Sequence, residues 1–220
     1  MLFGFHLLVK GQAKSDKEVL KILQGHIDEL EGFLERTSED FLIIQLDLRT
    51  RIQYLSLPLQ NLDVFDGMLE DRNFRIAMIN YNDLVERAID RFSTAVKDTL
   101  KDIQKGREAI GALWYYLGQI SRENFPLPGN IQAIYDAMAA NAEGWNMTFS
   151  RLRKRGIALE SALVQLGLAV TEMQRRVGVA SRKNTVSRKT GLFMAVHEPT
   201  LTYNRLRSQT LLQVHLNPDH

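Results

Sequence analysis

The chain has 220 residues, of which 45% are hydrophobic and 25% are charged, and its formal net charge is +2. This composition is typical of a globular protein with a sizeable core, and it excludes a chain that is disordered throughout. Because the chain contains no cysteine, disulfide scaffolds, thiolate zinc sites, iron–sulfur clusters and cysteine nucleophiles are excluded. Aromatic residues make up 8% of the chain, which favours helices packed through aliphatic stripes over aromatic-rich strands.

The first nine residues are strongly apolar. They have no basic segment and no small-residue cleavage site, and they are too short to span a bilayer. We therefore predict that residues 1–9 form a buried segment or a truncated helix rather than a signal sequence. A cytoplasmic location follows as an expectation.

A first amphipathic helix is predicted over about residues 16–36. Ser15 and Glu18 have the spacing of a capping box, and apolar residues then recur at steps of three and four. Thr37 and Ser38 provide a new start signal, so the pattern indicates that a second helix begins there.

The second helix carries an apolar arc over residues 41–57 that is wider than a single stripe. This width predicts that the helix is buried on more than one side, against a third layer from the same chain or from a second copy. Pro58 disfavours its continuation. A short helix follows over about residues 61–70.

Two long apolar stripes come next, each with the three- and four-residue steps of a helix. The first runs from Met78 to Ile120 and the second from Tyr135 to Val177, and a segment with two prolines and a glycine separates them. Folding the stripes back on each other places Gly106 opposite Phe149.

The predicted fold is therefore all-α. It is an elongated helical bundle built on a long antiparallel coiled-coil hairpin, with the shorter N-terminal helices packed on it. The bundle spans residues 1–180, with hairpin arms at about 74–121 and 130–180. Residues 181–220 are predicted to be a basic linker and a partly ordered C-terminal tail.

Charge is distributed unevenly along the chain. Residues 1–150 hold 16 Lys and Arg against 22 Asp and Glu, whereas residues 151–220 hold 12 against 4. The basic C-terminal third is where an anionic partner would bind. The candidate patch for such a partner consists of Arg151, Arg153, Lys154, Arg155, Arg175, Arg176, Arg182 and Lys183. The alternative is that these charges solvate the outside of the hairpin and pair with acidic residues of the first helices.

Candidate catalytic and metal-binding residues do not form a recognisable pattern. The five histidines are scattered, with none of the spacings of a zinc helix or a di-iron bundle. Acidic pairs such as Asp98 and Asp102 lie at helical spacing from lysines, which is typical of a solvated helix face. We therefore predict no catalytic residues, no metal and no cofactor.

A weak family resemblance comes from three stretches of the helical pattern. Residues 162–167, residues 171–176 and residues 59–65 resemble coiled-coil segments of uncharacterised proteins of filamentous fungi. The resemblance covers about residues 15–185 and implies a coiled-coil fold without a known activity.

The function expected from these patterns is that of a non-enzymatic interaction or scaffold protein, which binds a protein partner or a second copy of itself. The alternative is a module that binds an anionic membrane surface through its basic third. Nucleic acid is disfavoured as a partner, because the basic patch has no interleaved aromatic residues and no groove-reading motif.

Overall fold

The computed structural model describes residues 1–123 and 126–191, with side chains as far as Lys183. These residues form five helices and no strand, which confirms the all-α prediction. The helices are α1 (Leu2–Val9), α2 (Asp16–Gln60), α3 (Leu62–Met68), α4 (Arg72–Glu123) and α5 (Gly129–Gly191). The chain divides into a compact unit, Met1–Ser181, and a second unit, Arg182–His220.

The two helices predicted over residues 16–57 are one continuous helix, α2. Its start is as expected, because the Glu18 N–H donates to the Ser15 hydroxyl at 3.4 Å. The predicted break at Thr37 is wrong. Thr37 is only 5% exposed and lies on the inward stripe between Leu34 and Phe41, so the apolar pattern continues across the local start signal.

The end of α2 lies close to the predicted one. Pro58 is inside the helix, and α2 ends two residues later, at Gln60. The short predicted helix is α3, which buries Phe65, while Leu69 just beyond its end is fully buried. Arg75 donates to the Leu69 carbonyl at 2.5 Å and thereby satisfies a backbone acceptor after α3.

The apolar N-terminal segment is helix α1, which packs against the rest of its unit. Phe5 and Leu8 are buried, and a Cβ built at Gly4 would lie 3.3 Å from Leu23 of α2. The His6 ring nitrogen Nδ1 lies 2.6 Å from the Tyr116 hydroxyl of α4. Helix α1 therefore contacts both α2 and α4.

Contacts between α4 and α5 occur in opposite order along the two helices. Gln174 of α5 donates to Glu86 of α4 at 2.8 Å, and the Tyr135 hydroxyl donates to the Leu117 carbonyl at 3.3 Å. Between these points, Gly106 of α4 faces Phe149 of α5 so closely that a methyl group on Gly106 would overlap the ring. These are the two residues that folding the stripes back on each other places opposite. This order is that of antiparallel neighbours.

Both predicted stripes face the core. No residue that defines them is exposed, and the buried members of α4 and α5 make up most of the largest apolar cluster. At about 1.5 Å per residue, the 52 residues of α4 extend for about 78 Å.

Helix α2 packs across both α4 and α5. The rings of Tyr54 and Tyr81 are 5.0 Å apart, and those of Phe33 and Phe149 are 6.4 Å apart. At Gly156 of α5, an added Cβ would lie 3.2 Å from Phe41 of α2 and 2.7 Å from Leu100 of α4, so the three helices meet there. Three long helices thus enclose the core of the unit Met1–Ser181.

One buried position in α4 is polar. Asn82 is 1% exposed, and neither atom of its side-chain amide has a hydrogen-bond partner among the described residues. An unpaired amide in an apolar core destabilises the fold.

Helix α5 continues through residues 182–191, a stretch predicted to be a linker. No glycine or proline lies between Gly178 and Gly191, and arginine and lysine favour helix. The remainder of the predicted tail, residues 192–220, lies outside the described residues.

Candidate interaction surface

The outward face of α2 carries an uncharged apolar stripe. Leu42, Ile43, Leu46 and Leu57 are 47%, 63%, 56% and 58% exposed, although the opposite face of the helix is buried. We call these four residues the outer stripe. The prediction that this helix is buried on more than one side is therefore wrong for the single chain, because α4 and α5 both pack on its inward face.

Two uncharged polar residues, Thr50 and Gln53, fill the space between Leu46 and Leu57. From Ile43 to Leu57, these outward positions recur at alternating steps of three and four residues, which is the spacing of a helix-packing stripe. The Thr50 hydroxyl donates to the Leu46 carbonyl at 3.0 Å, so it needs no new partner when covered. The outward face is thus suited to packing against another helix.

A groove of about 860 Å³ lies between α2 and α5, beside the outer stripe. The short side chains of Ala158 and Ala162 leave this space between the helices. Arg49 of α2 and Lys154 and Arg155 of α5 line it, and no acidic residue is among its lining residues. The groove is therefore suited to an anionic group.

Part of the predicted basic patch is neutralised within the chain. Arg175 donates to Glu172 at 2.7 Å, and Arg176 donates both to Glu172 and to Asp66 of α3, each at 2.8 Å. The hydrogen bond from Arg175, with that from Arg176, lowers the pKa of Glu172 to about 2. Arg176 therefore pairs with an acidic residue of the N-terminal helices, as the alternative expected, whereas Arg175 pairs only within α5.

The rest of the patch does not form a single site. Arg151 and Arg153 are exposed at separate positions around α5, and Arg182 and Lys183 belong to the second unit, where both are exposed. The structure brings together only Lys154 and Arg155 of this patch, at the groove. Their third partner, Arg49, was missed by sequence analysis because α2 and α5 are distant in sequence.

His6 of α1 and Tyr116 of α4 form a hydrogen-bonded pair of polar aromatic side chains. Their ring centroids are 5.8 Å apart, and burial raises the pKa of Tyr116. No carboxylate hydrogen-bonds to either ring among the described contacts, so the pair resembles an anchor for α1 more than a proton-transfer site.

The described residues contain no group of three or more His, Asp or Glu side chains placed to hold a metal ion. One stretch of α5 is long and apolar enough to cross a membrane by length and composition, and a third of it is buried inside the protein.

Comparisons of the chain with protein-family models, with curated proteins and with solved structures find no match. The resemblance to coiled-coil proteins of filamentous fungi therefore stays a prediction.

Proposed function

We propose that this protein is a non-enzymatic helical interaction protein that binds a protein partner through the outer stripe of α2. The observation that carries the proposal is a set of four large aliphatic side chains, each 47–63% exposed, on one face of one helix. Scattered apolar residues are ordinary on protein surfaces, but a contiguous apolar patch marks an interaction site.

The spacing of the stripe supports a helical partner. The outward positions from Ile43 to Leu57 are spaced alternately by three and four residues. Side chains at this spacing can insert between the side chains of a second helix. A partner helix would add a further layer to the three long helices of the unit and would remove the stripe from water.

Site-specific photo-crosslinking in the cells that naturally produce the protein tests this proposal. A benzophenone side chain at Leu46 is expected to form a covalent adduct with a protein. The same group at Gln104, on an exposed polar face of α4, is the matched control and is expected to form none. Equal labelling at both positions, or no adduct at Leu46, would contradict the proposal.

We also propose that α4 and α5 form an antiparallel coiled-coil hairpin. The opposite order of their contacts and the unbroken spacing of both stripes support this arrangement. Because the chain has no cysteine, Glu86→Cys combined with Gln174→Cys gives a clean test. A short bis-maleimide crosslinker, which spans the space left by the two truncated side chains, should join the cysteines within one folded chain, and its failure to do so would contradict the pairing.

A second candidate function is binding to an anionic membrane surface, which the three cations of the groove favour. Flotation with vesicles that contain or lack anionic lipid, at two salt concentrations, separates the candidates. Binding that requires anionic lipid and weakens with salt would support the membrane candidate, whereas no binding would remove it.

A further inference from the structure

The two helices that form the groove run in the same direction. Phe33 of α2 lies beside Phe149 of α5, and Phe41 of α2 lies beside Gly156 of α5, so residue numbers rise together along both walls. The N-terminal lining residues of both helices therefore lie toward one end of the groove, and the C-terminal lining residues lie toward the other.

The charged lining residues belong to the N-terminal part of each wall. Lys154 and Arg155 are the first lining residues of α5, and Arg49 is among the first of α2. Helical side chains lean toward the N-terminus of their helix, and Arg155 does so, since it donates to the Ser38 carbonyl at 3.4 Å. The lining residues that follow Arg49 and Arg155 are all uncharged: Ile52, Gln53, Ser56, Ala158, Leu159 and Ala162.

The positive charge at the basic end is not neutralised within the chain. Arg49 and Lys154 are exposed, and neither forms an ion pair or hydrogen bond with another described residue. Arg155 donates only to the neutral Ser38. Because no acidic side chain of the described residues lines the groove, its basic end attracts an anionic group.

The uncharged end of the groove is suited to a hydrocarbon chain. Leu48 and Leu159 line the groove and are only 1% and 3% exposed, so they present a fixed apolar surface. The short side chains of Ala158 and Ala162 leave room above it. A volume of about 860 Å³ is within the range of about 300–1,000 Å³ that is usual for small-molecule sites.

We propose that the groove binds one molecule of an anionic single-chain amphiphile, a long-chain carboxylate, taken up as a monomer from solution. The carboxylate lies at the basic end, and the hydrocarbon chain lies toward Ile52 and Ala162. This ligand site is separate from the outer stripe and goes beyond the proposed function, because it requires no protein partner.

Titration calorimetry with decanoate below its critical micelle concentration tests the proposal. We expect saturable binding of one decanoate per chain. Acetate, which has the carboxylate without the chain, and 1-decanol, which has the chain without the charge, should each bind at least about tenfold more weakly. Equal binding of decanoate and 1-decanol, or no one-to-one binding of decanoate, would overturn the proposal.

Removal of two groove cations tests the basic end. Arg49→Gln combined with Lys154→Gln should weaken decanoate binding about tenfold and leave 1-decanol unaffected. Arg151→Gln combined with Arg153→Gln is the matched control, because it makes the same change in net charge at exposed positions of α5 that do not line the groove. Equal weakening by the control would overturn the proposal.

Filling the groove tests its uncharged end. Ala158→Leu should reduce decanoate binding about tenfold or more, because the larger side chain occupies the space of the hydrocarbon chain. Ala140→Leu is the control, since Ala140 is exposed on the same face of α5 about five turns earlier. Circular dichroism establishes that each variant keeps its helices. Unchanged binding by Ala158→Leu would overturn the proposal.

Vesicle flotation separates a groove ligand from a membrane surface. Binding to vesicles that contain anionic lipid, without binding of monomeric decanoate, would show that the cations recognise a membrane and would overturn the proposal. The photo-crosslink at Leu46 tests the outer stripe alone, so failure of the groove proposal is distinguishable from failure of the proposed function.

Discussion

The two faces of α2 show how one helix can serve two purposes. Leu48, on the inward face, is 1% exposed, whereas Leu46, two residues earlier, is 56% exposed. Both faces repeat at helical spacing, and both are apolar over the same turns. Apolar periodicity alone therefore does not say which of the two faces the chain buries.

The largest expected effect comes from truncating these two leucines. Leu48→Ala should lower the free energy of unfolding by about 2–5 kcal/mol, because it leaves a cavity among three helices. Leu46→Ala should change it by about 0.5 kcal/mol or less. Urea denaturation at a concentration that keeps the protein monomeric measures both, and similar losses would show that the outer stripe is buried within the chain.

Two glycines extend the comparison to α4. Gly106→Ala should destabilise the protein by about 1–3 kcal/mol, because the new methyl group overlaps the Phe149 ring. Gly111→Ala, where nothing lies within 4 Å of the added Cβ, should instead stabilise it by about 0.5–1 kcal/mol. Thermal unfolding compares the pair, and a Gly106→Ala protein as stable as the original would contradict this packing.

Two asparagines of α4 provide a smaller contrast. Asn82→Leu should raise the free energy of unfolding by about 1–2 kcal/mol, because it removes an amide buried without a hydrogen-bond partner. Asn80 is exposed, and the same change there should have an effect within about 0.5 kcal/mol. Chemical denaturation of both variants is the measurement. A destabilised Asn82→Leu protein would mean that the amide is satisfied.

The smallest effect concerns the outward ion cluster around Glu172. Its pKa is about 2 in the folded protein against an ordinary value of 4.5, so its stabilising contribution is complete above pH 4.5 and is lost as the pH falls through 2. The melting temperature of Glu172→Gln should therefore lie slightly below that of the original protein at pH 7, and the difference should vanish below a pH of about 2. A difference that persists there would assign the effect to packing.

The helices could be predicted from the sequence because their apolar spacing is long and regular. Both stripes, from Met78 and from Tyr135, are unexposed along their length. One local signal misled the prediction. Thr37 and Ser38 have the chemistry of a helix start, yet the buried stripe that passes through Thr37 outweighs this preference.

The candidate surface was less accessible from the sequence. The sequence shows that the apolar arc of α2 is wider than one stripe. Which part of the arc stays exposed depends on where α4 and α5 pack, and the sequence does not show this. Lys154 and Arg155 were predicted as part of a basic patch, while Arg49 joins them only through tertiary packing. Pairing of Arg176 with Asp66 across 110 residues has no local sequence signal.

Gly106 restricts how α4 and α5 can align along their length. Phe149 can occupy only a site where the facing helix has no side chain, and a slip by one turn, about 5.4 Å, would drive the ring into Ile103 or Ile110. A single hydrogen atom in place of a side chain thus sets which turns of two long helices meet. Shape at this one layer, more than charge, excludes the shifted alignments.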